Sequence, residues 1–309
     1  MKKWKYAVLT VLLGLACVFS ATGCGLVGKD AKETMAEQKS SGEGTQADKK
    51  ETKSKAEEEV PTYTFVDVLG QRYEAELLED MPMCSYDYAN LTEKDGYKYY
   101  VDEEQGISSV LGIDVSEFQG DIDWAKVKEA GIEFVIIRLG YRGYGEEGKL
   151  VLDANFEKNI EGAKAAGLET GVYFFSQAVS DAEAKEEADF VLSHIEGHTL
   201  TMPVVFDTEE IKGDTARTDE NTRERFTDNC IVFCDAIEEA GYDTMIYANM
   251  KWMAFTLNLE RLTGYDFWYA DYEAKPQCPY PFAMWQYTET GSVPGIEGNV
   301  DLNIWFVEE

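Results

Sequence analysis

Phe134-Val-Ile-Ile-Arg-Leu139, the amphipathic stretch Asn155 to Ala166 closed by Gly167, and Gly171-Val-Tyr-Phe-Phe175 decide the fold. Two short apolar runs flank a segment of helical periodicity. That is the pattern of a strand–helix–strand unit whose strands pair in parallel with both faces covered. The alternation recurs in both directions along the chain. Further apolar runs lie at Leu111 to Val115, Pro203 to Phe206, Thr244 to Ala248, Phe267 to Ala270, Ala283 to Gln286 and Val300 to Asn303. Helices are predicted over Asp123 to Ala130, Asp181 to Ile195 and Thr218 to Ala240. Asp123, Asp181 and Thr218 are the expected N-caps, and Gly131, Gly167 and Gly241 the expected stops. Eight runs suggest a closed α/β barrel over 111–309. The last connections are too short for full helices, so the late part should be strand and loop.

Upstream, residues 61–110 read as a small β-rich extension. Tyr63-Thr-Phe-Val-Asp67 and Gln71-Arg-Tyr-Glu-Ala75 flank a Leu69-Gly70 turn, a hairpin pattern, and a second pair runs through Tyr97 to Val101. Residues 24–60 form a tether: Lys29 to Glu59 contains no aromatic residue and cannot bury enough apolar surface to offset its ordering entropy. Residues 1–23 read as a signal peptide, with Lys2, Lys3 and Lys5 ahead of the apolar stretch Ala7 to Phe19. Cys84, Cys230, Cys234 and Cys278 follow, with no pairing fixed by their spacing; Cys230 and Cys234 read as core residues of a helix.

The net charge of −31 excludes a nucleic-acid groove, which needs a basic face. The acidity belongs to the folded part: residues 61–309 hold 18 bases and 50 acids. Two histidines make a His-rich metal site or a Ser-His-Asp triad a poor first guess, and His194-Ile-Glu-Gly-His198 lacks the H-E-x-x-H order of a zinc site. Acid–base chemistry therefore falls to Asp and Glu, with no cofactor expected.

In a parallel barrel the strand ends open on one face, where sites form. Asp114, Arg138, Phe175, Asp207, Tyr247, Trp268, Asp271, Trp285, Gln286 and Asp301 all lie at or near such ends. The strongest local signal is Val205-Phe206-Asp207-Thr208-Glu209-Glu210. Side chains two apart on a strand point the same way, so Asp207 and Glu209 would share the mouth. Two close carboxylates resist ionising together, and the retained proton suits a general acid. The competing reading is an acidic loop in an acid-rich protein. Tyr173, Phe175, Tyr247, Trp268, Trp285 and Tyr287 could stack on sugar rings, or could simply fill the barrel. Arg138 to Gly145 is Gly-rich but lacks a dinucleotide-binding order, and reads as a tight loop beside the mouth.

Gly112-Ile-Asp-Val-Ser-Glu-Phe-Gln-Gly120 with Ile122-Asp-Trp124, Gly171 to Ser176, Pro203 to Glu209, Trp268-Tyr-Ala-Asp-Tyr272, Trp285-Gln-Tyr287 and Gly298-Asn-Val-Asp-Leu302 occur in one order along 111–306. This set resembles the glycoside hydrolase family 25 lysozymes. The resemblance implies an irregular TIM-like (β/α)5β3 barrel and N-acetylmuramidase activity on peptidoglycan glycan strands. It implies Glu209 as general acid and Asp207 as the acid that stabilises the transition state or orients the 2-acetamido group. Asp114 and Asp301 match the other acids of the site. Substrate contacts are expected from Tyr173, Phe175, Arg138, Tyr247, Trp268, Asp271, Trp285 and Gln286. Ala21-Thr-Gly-Cys24 resembles a bacterial lipobox, which implies lipidation at Cys24 and anchoring to the outer face of the cytoplasmic membrane. A monomer is expected. A chitinase-like endo-N-acetylglucosaminidase and a non-catalytic wall-binding lipoprotein are the rival readings.

Overall fold

A computed structural model describes residues 60–308. The expected signal peptide, the Cys24 lipobox and the tether lie outside the described residues. β1 (Thr62–Val66) and β2 (Arg72–Glu76) form a two-stranded antiparallel sheet. β3 (Leu91–Lys94) and β4 (Tyr97–Asp102) form a second hairpin, joined through β4 to β5 (Ile107–Val115). α1 (Trp124–Glu129) leads to β6 (Phe134–Arg142), which turns back into β7 (Leu150–Leu152). Then follow α2 (Phe156–Ala165), β8 (Glu169–Phe175), α3 (Asp181–Ile195), β9 (Val204–Asp207), α4 (Arg223–Glu239) and β10 (Thr244–Asn249). β11 (Asp266–Ala270), β12 (Met284–Gly291) and β13 (Val300–Glu308) complete the chain, with only single turns between β10 and β11.

Eight strands close a barrel in the order β5-β6-β8-β9-β10-β11-β12-β13, the last pairing back onto β5. Pairing is parallel from β5 through β12, as expected of strand–helix alternation. β13 departs from that rule: it runs antiparallel to both neighbours, because the short loop after β12 can only reverse the chain. The Arg138–Gly145 stretch is another correction, since strand β6 continues to Arg142 instead of breaking into a loop. Two N-caps also move. Ser180 caps α3 by accepting from the Glu183 N–H, and Thr222 caps α4 by accepting from the Arg225 N–H. Asp181 instead sits in the first turn, where its charge faces the positive helix end. Thr218 is buried and donates to Gln177 Oε1.

Alternation along the strands divides the core into two. Val204 and Phe206 of β9, Val172 and Phe174 of β8, and Cys230, Phe233 and Cys234 of α4 pack between barrel and helices. Phe134, Ile136, Val205, Met245, Met284 and Trp305 fill the barrel interior. Gly112 makes that filling possible, because a Cβ there would lie 2.3 Å from the Phe134 ring. Above this plug, interior positions pass from apolar to polar.

Candidate active site

The polar top of the barrel is built by the period of two. Asp114 lies two residues beyond Gly112, Asp207 two beyond Val205, Tyr247 two beyond Met245 and Gln286 two beyond Met284. Asp301 lies directly opposite Asp114 in the antiparallel β5–β13 ladder, and Tyr247 beside Asp207 in the parallel β9–β10 ladder. These residues line one cleft of about 200 Å³ with Tyr173, Trp268 and Glu209. Glu209 reaches it from the loop after β9 and is half-buried, whereas Asp207 is 6% exposed.

The acids are held very differently. Asp114 Oδ2 accepts from Gln286 Nε2 at 2.9 Å and from Asn303 Nδ2 at 2.8 Å. Asn303 Oδ1 in turn accepts from Trp268 Nε1 at 2.8 Å, and Gln286 Oε1 accepts from the Tyr247 and Tyr272 hydroxyls at 3.1 and 2.9 Å. Burial pushes the Asp114 carboxyl up, while its amide donors and Asp301 pull it down. Asp301 is pushed up to about 9 by burial and by the Asp114 charge, to which it also hydrogen-bonds. The two carboxyls therefore resist ionising together, and both are raised. Asp207 is raised well above the carboxylate range by burial and by the Glu209 and Asp114 charges. Its Oδ1 is buried and has no hydrogen-bond partner among the described residues. Glu209 is raised by burial, against the opposing charge of Lys212 and a hydrogen bond with Tyr247.

Not every expected residue reaches the cleft. Trp285 and Asp271 are corrections, and the cause is again alternation: Gln286 and Ala270 face the interior, so their neighbours Trp285, Tyr269 and Asp271 face outward. Trp285 is fully buried and donates to the Asp271 carbonyl at 2.7 Å. Asp271 accepts from the Tyr269 hydroxyl at 2.6 Å and from the Glu273 and Gln277 N–H groups at 3.0 and 2.9 Å. Tyr287 also packs outward, with Lys98 over its ring. Phe175 and Arg138 do not line the cleft. Arg138 is tied to Glu117 at 2.9 Å and to Asp153 at 2.7 Å, and from there it pulls Asp207 down. Asn249 lines the cleft from the end of β10, Tyr272, Lys212, Glu289 and Val68 line it unforeseen, and Asn303 supports it from below. Asn303 stands two residues beyond Asp301, so strict alternation could have found it. Lys212 and Val68 come from loops, and Glu289 from the irregular end of β12, where register shifts break the alternation.

The model of the glycosyl hydrolases family 25 matches residues 113–296. The chain belongs to glycosyl hydrolases family 25. Two curated relatives are similar over about two thirds of this chain. The autolytic lysozyme of Clostridium acetobutylicum is 29% identical over 193 residues, covering 62% of this chain and 54% of that protein. Lysozyme M1 of Streptomyces globisporus is 30% identical over 205 residues, covering 63% and 67% respectively. The chain thus spans about half the length of the first of these relatives. Among solved structures, the modular autolysin LytC of Streptococcus pneumoniae superposes with a TM-score of 0.57 at 23% identity, over 78% of this chain and 56% of that one. That autolysin has also been solved with a synthetic peptidoglycan ligand. At such identity the likeness speaks for the family 25 barrel alone.

Proposed function

We propose that this chain is a peptidoglycan hydrolase that cleaves the β-1,4 bond between N-acetylmuramic acid and N-acetylglucosamine. The observation that carries the reading is the cleft itself, where half-buried Glu209 neighbours Asp207 with its buried, unpartnered Oδ1. Burial raises the Glu209 carboxyl and so favours its protonated form, whose proton can be delivered to the glycosidic oxygen as the bond to the anomeric carbon breaks. The unpartnered Asp207 oxygen suits the N–H of a substrate 2-acetamido group, orienting that group beside the anomeric carbon. Asp114 and Asp301, facing each other across the ladder, can add negative potential where the sugar becomes cationic. Tyr173, the partly exposed ring at the cleft, can meet the sugars, while Tyr247 and Trp268 are largely buried in its floor. The relatives named lysozyme and the autolysin solved with a peptidoglycan ligand support the substrate class.

Mass spectrometry of muropeptides released from purified walls tests the chemistry. New reducing ends should carry muramic acid, and Glu209→Gln should lower the rate by about 10²–10⁴-fold, the usual worth of a positioned general acid. Glucosamine at the new ends, or a variant as active as wild type, would refute it.

The proposal extends to location: the chain is exported and held by lipid on Cys24, facing the wall as a monomer. Cys24→Ala should move the protein from the membrane fraction to the medium. Membrane retention by that variant would remove the anchor.

A further inference from the structure

The β1–β2 hairpin lies outside the segment matched by the family model, yet its turn reaches the cleft. Val68 lines the same cavity as Glu209, Asp207, Asn249 and Tyr272. Among the described residues lining it, Val68 carries the sole aliphatic side chain, amid carboxyls, amides and aromatic rings.

The turn is held firmly. Asp67 Oδ1 accepts from the Leu69 and Gln71 N–H groups at 2.9 and 2.8 Å, and Gly70 takes the left-handed φ of 79° that lets the chain reverse. The hairpin is also clamped to the barrel. Val66 donates its N–H to Gln277 Oε1 and accepts from Gln277 Nε2, both at 2.8 Å. Gln277 Nε2 and N–H also donate to Asp271, the carboxylate turned away from the cleft. Phe65 stacks on Tyr73 at 5.4 Å, and both rings pack against Phe255. These contacts make a fixed wall rather than a lid.

We propose that the β1–β2 turn is a wall of the glycan cleft and that Val68 is a specificity-determining residue, packing against the methyl of an acetamido or lactyl substituent on the sugar bound beside Glu209. Asp271 and Gln277 are positioning residues that place this wall. An apolar patch there favours N-acylated sugars, because burying a methyl against Val68 is favourable and burying a hydroxyl there is not.

The inference rests on the peptidoglycan reading, so the test separates the two. Binding of a peptidoglycan-derived tetrasaccharide is measured by titration calorimetry in the Glu209→Gln background, where no turnover intervenes. Adding Val68→Trp or Val68→Ala should weaken binding at least threefold with the melting midpoint unchanged, and Met83→Ser, an exposed site elsewhere, should not. Gln277→Ala should weaken binding likewise. A folded pair of Val68 variants that both bind within threefold of the parent overturns the hairpin inference alone. A parent that binds no tetrasaccharide overturns the substrate reading and this inference with it.

Discussion

Asn303→Leu tests whether the floor of the cleft is held as the hydrogen bonds indicate. Asn303 is fully buried, bridges Trp268 Nε1 at 2.8 Å to Asp114 Oδ2 at 2.8 Å, and faces the interior between β5 and β12. Leucine matches its size and removes both polar contacts. The Trp268 N–H is then buried without an acceptor, which costs about 1–3 kcal/mol. Asp114, when ionised, also loses a charged hydrogen bond, which costs about 1.5–3 kcal/mol more. With Asp114 ionised the sum is about 2.5–6 kcal/mol, or roughly 5–24 °C in melting temperature for a unit of this size.

The two parts differ in pH dependence. Asn303 favours the ionised form of Asp114, so its removal raises further a carboxyl already raised by burial. Below the ordinary value of 3.8, Asp114 is protonated in folded and unfolded chains alike and only the tryptophan part remains. The unfolded chains of both proteins ionise alike at that value, so the variant falls further behind only as pH rises through the raised folded-state value of wild-type Asp114, where wild type ionises and the variant resists. Guanidinium unfolding at pH 3.5 and pH 7 should therefore give a loss of about 1–3 kcal/mol at the lower pH and a larger loss at the higher. Equal losses at the two pH values would refute the charged bond, and a loss under about 1 kcal/mol at both would refute the bridge.

Two further outcomes follow from charges away from the cleft. Glu187 is fully buried against Arg142 at 2.7 Å and Ser176 at 2.6 Å, and burial pushes it up to about 7 from 4.5. A raised carboxyl gives stability that is complete below 4.5 and is lost as pH rises to about 7, so Glu187→Gln should flatten the wild-type decline in chemical-denaturation stability across that window. The acidity of residues 61–309 should repel anionic walls at low salt, so wall hydrolysis by the untethered domain should rise with moderate salt; a flat or falling profile in a turbidity assay would count against this.

Much of the architecture was legible because it depends on periodicity. The run Phe134 to Leu139 became β6, Gly171 to Phe175 became the core of β8, and Asp181 to Ile195 became α3. The cap positions were less legible, since Ser180 and Asp181 both suit a helix start and only backbone geometry separates them. The reversal of β13 was not legible either. Its apolar run Val300 to Asn303 looks like the parallel strands, and orientation is fixed by the length of the connection rather than by the run.

The site was half legible, and the division has one physical source. Acids and aromatics at strand ends mark a mouth, but a strand end presents two faces. In β12, Gln286 enters the cleft and hydrogen-bonds Asp114, while Trp285 one step away is sealed in the outer core. In β11 and the residue after it, Trp268 enters while Tyr269 and Asp271 turn outward to bind each other. The stretches that look most like a substrate platform are therefore two-sided. One face holds the cleft and the other holds the loop that carries Gln277. Since Gln277 fixes Val66, and Val68 lies two residues beyond at the cavity, the outward face returns to the cleft through the hairpin. A substitution at Asp271 would then act on the substrate without touching it. Its signature would be weakened glycan binding with the Asp114–Asn303 contact intact, which is the opposite pattern to Asn303→Leu.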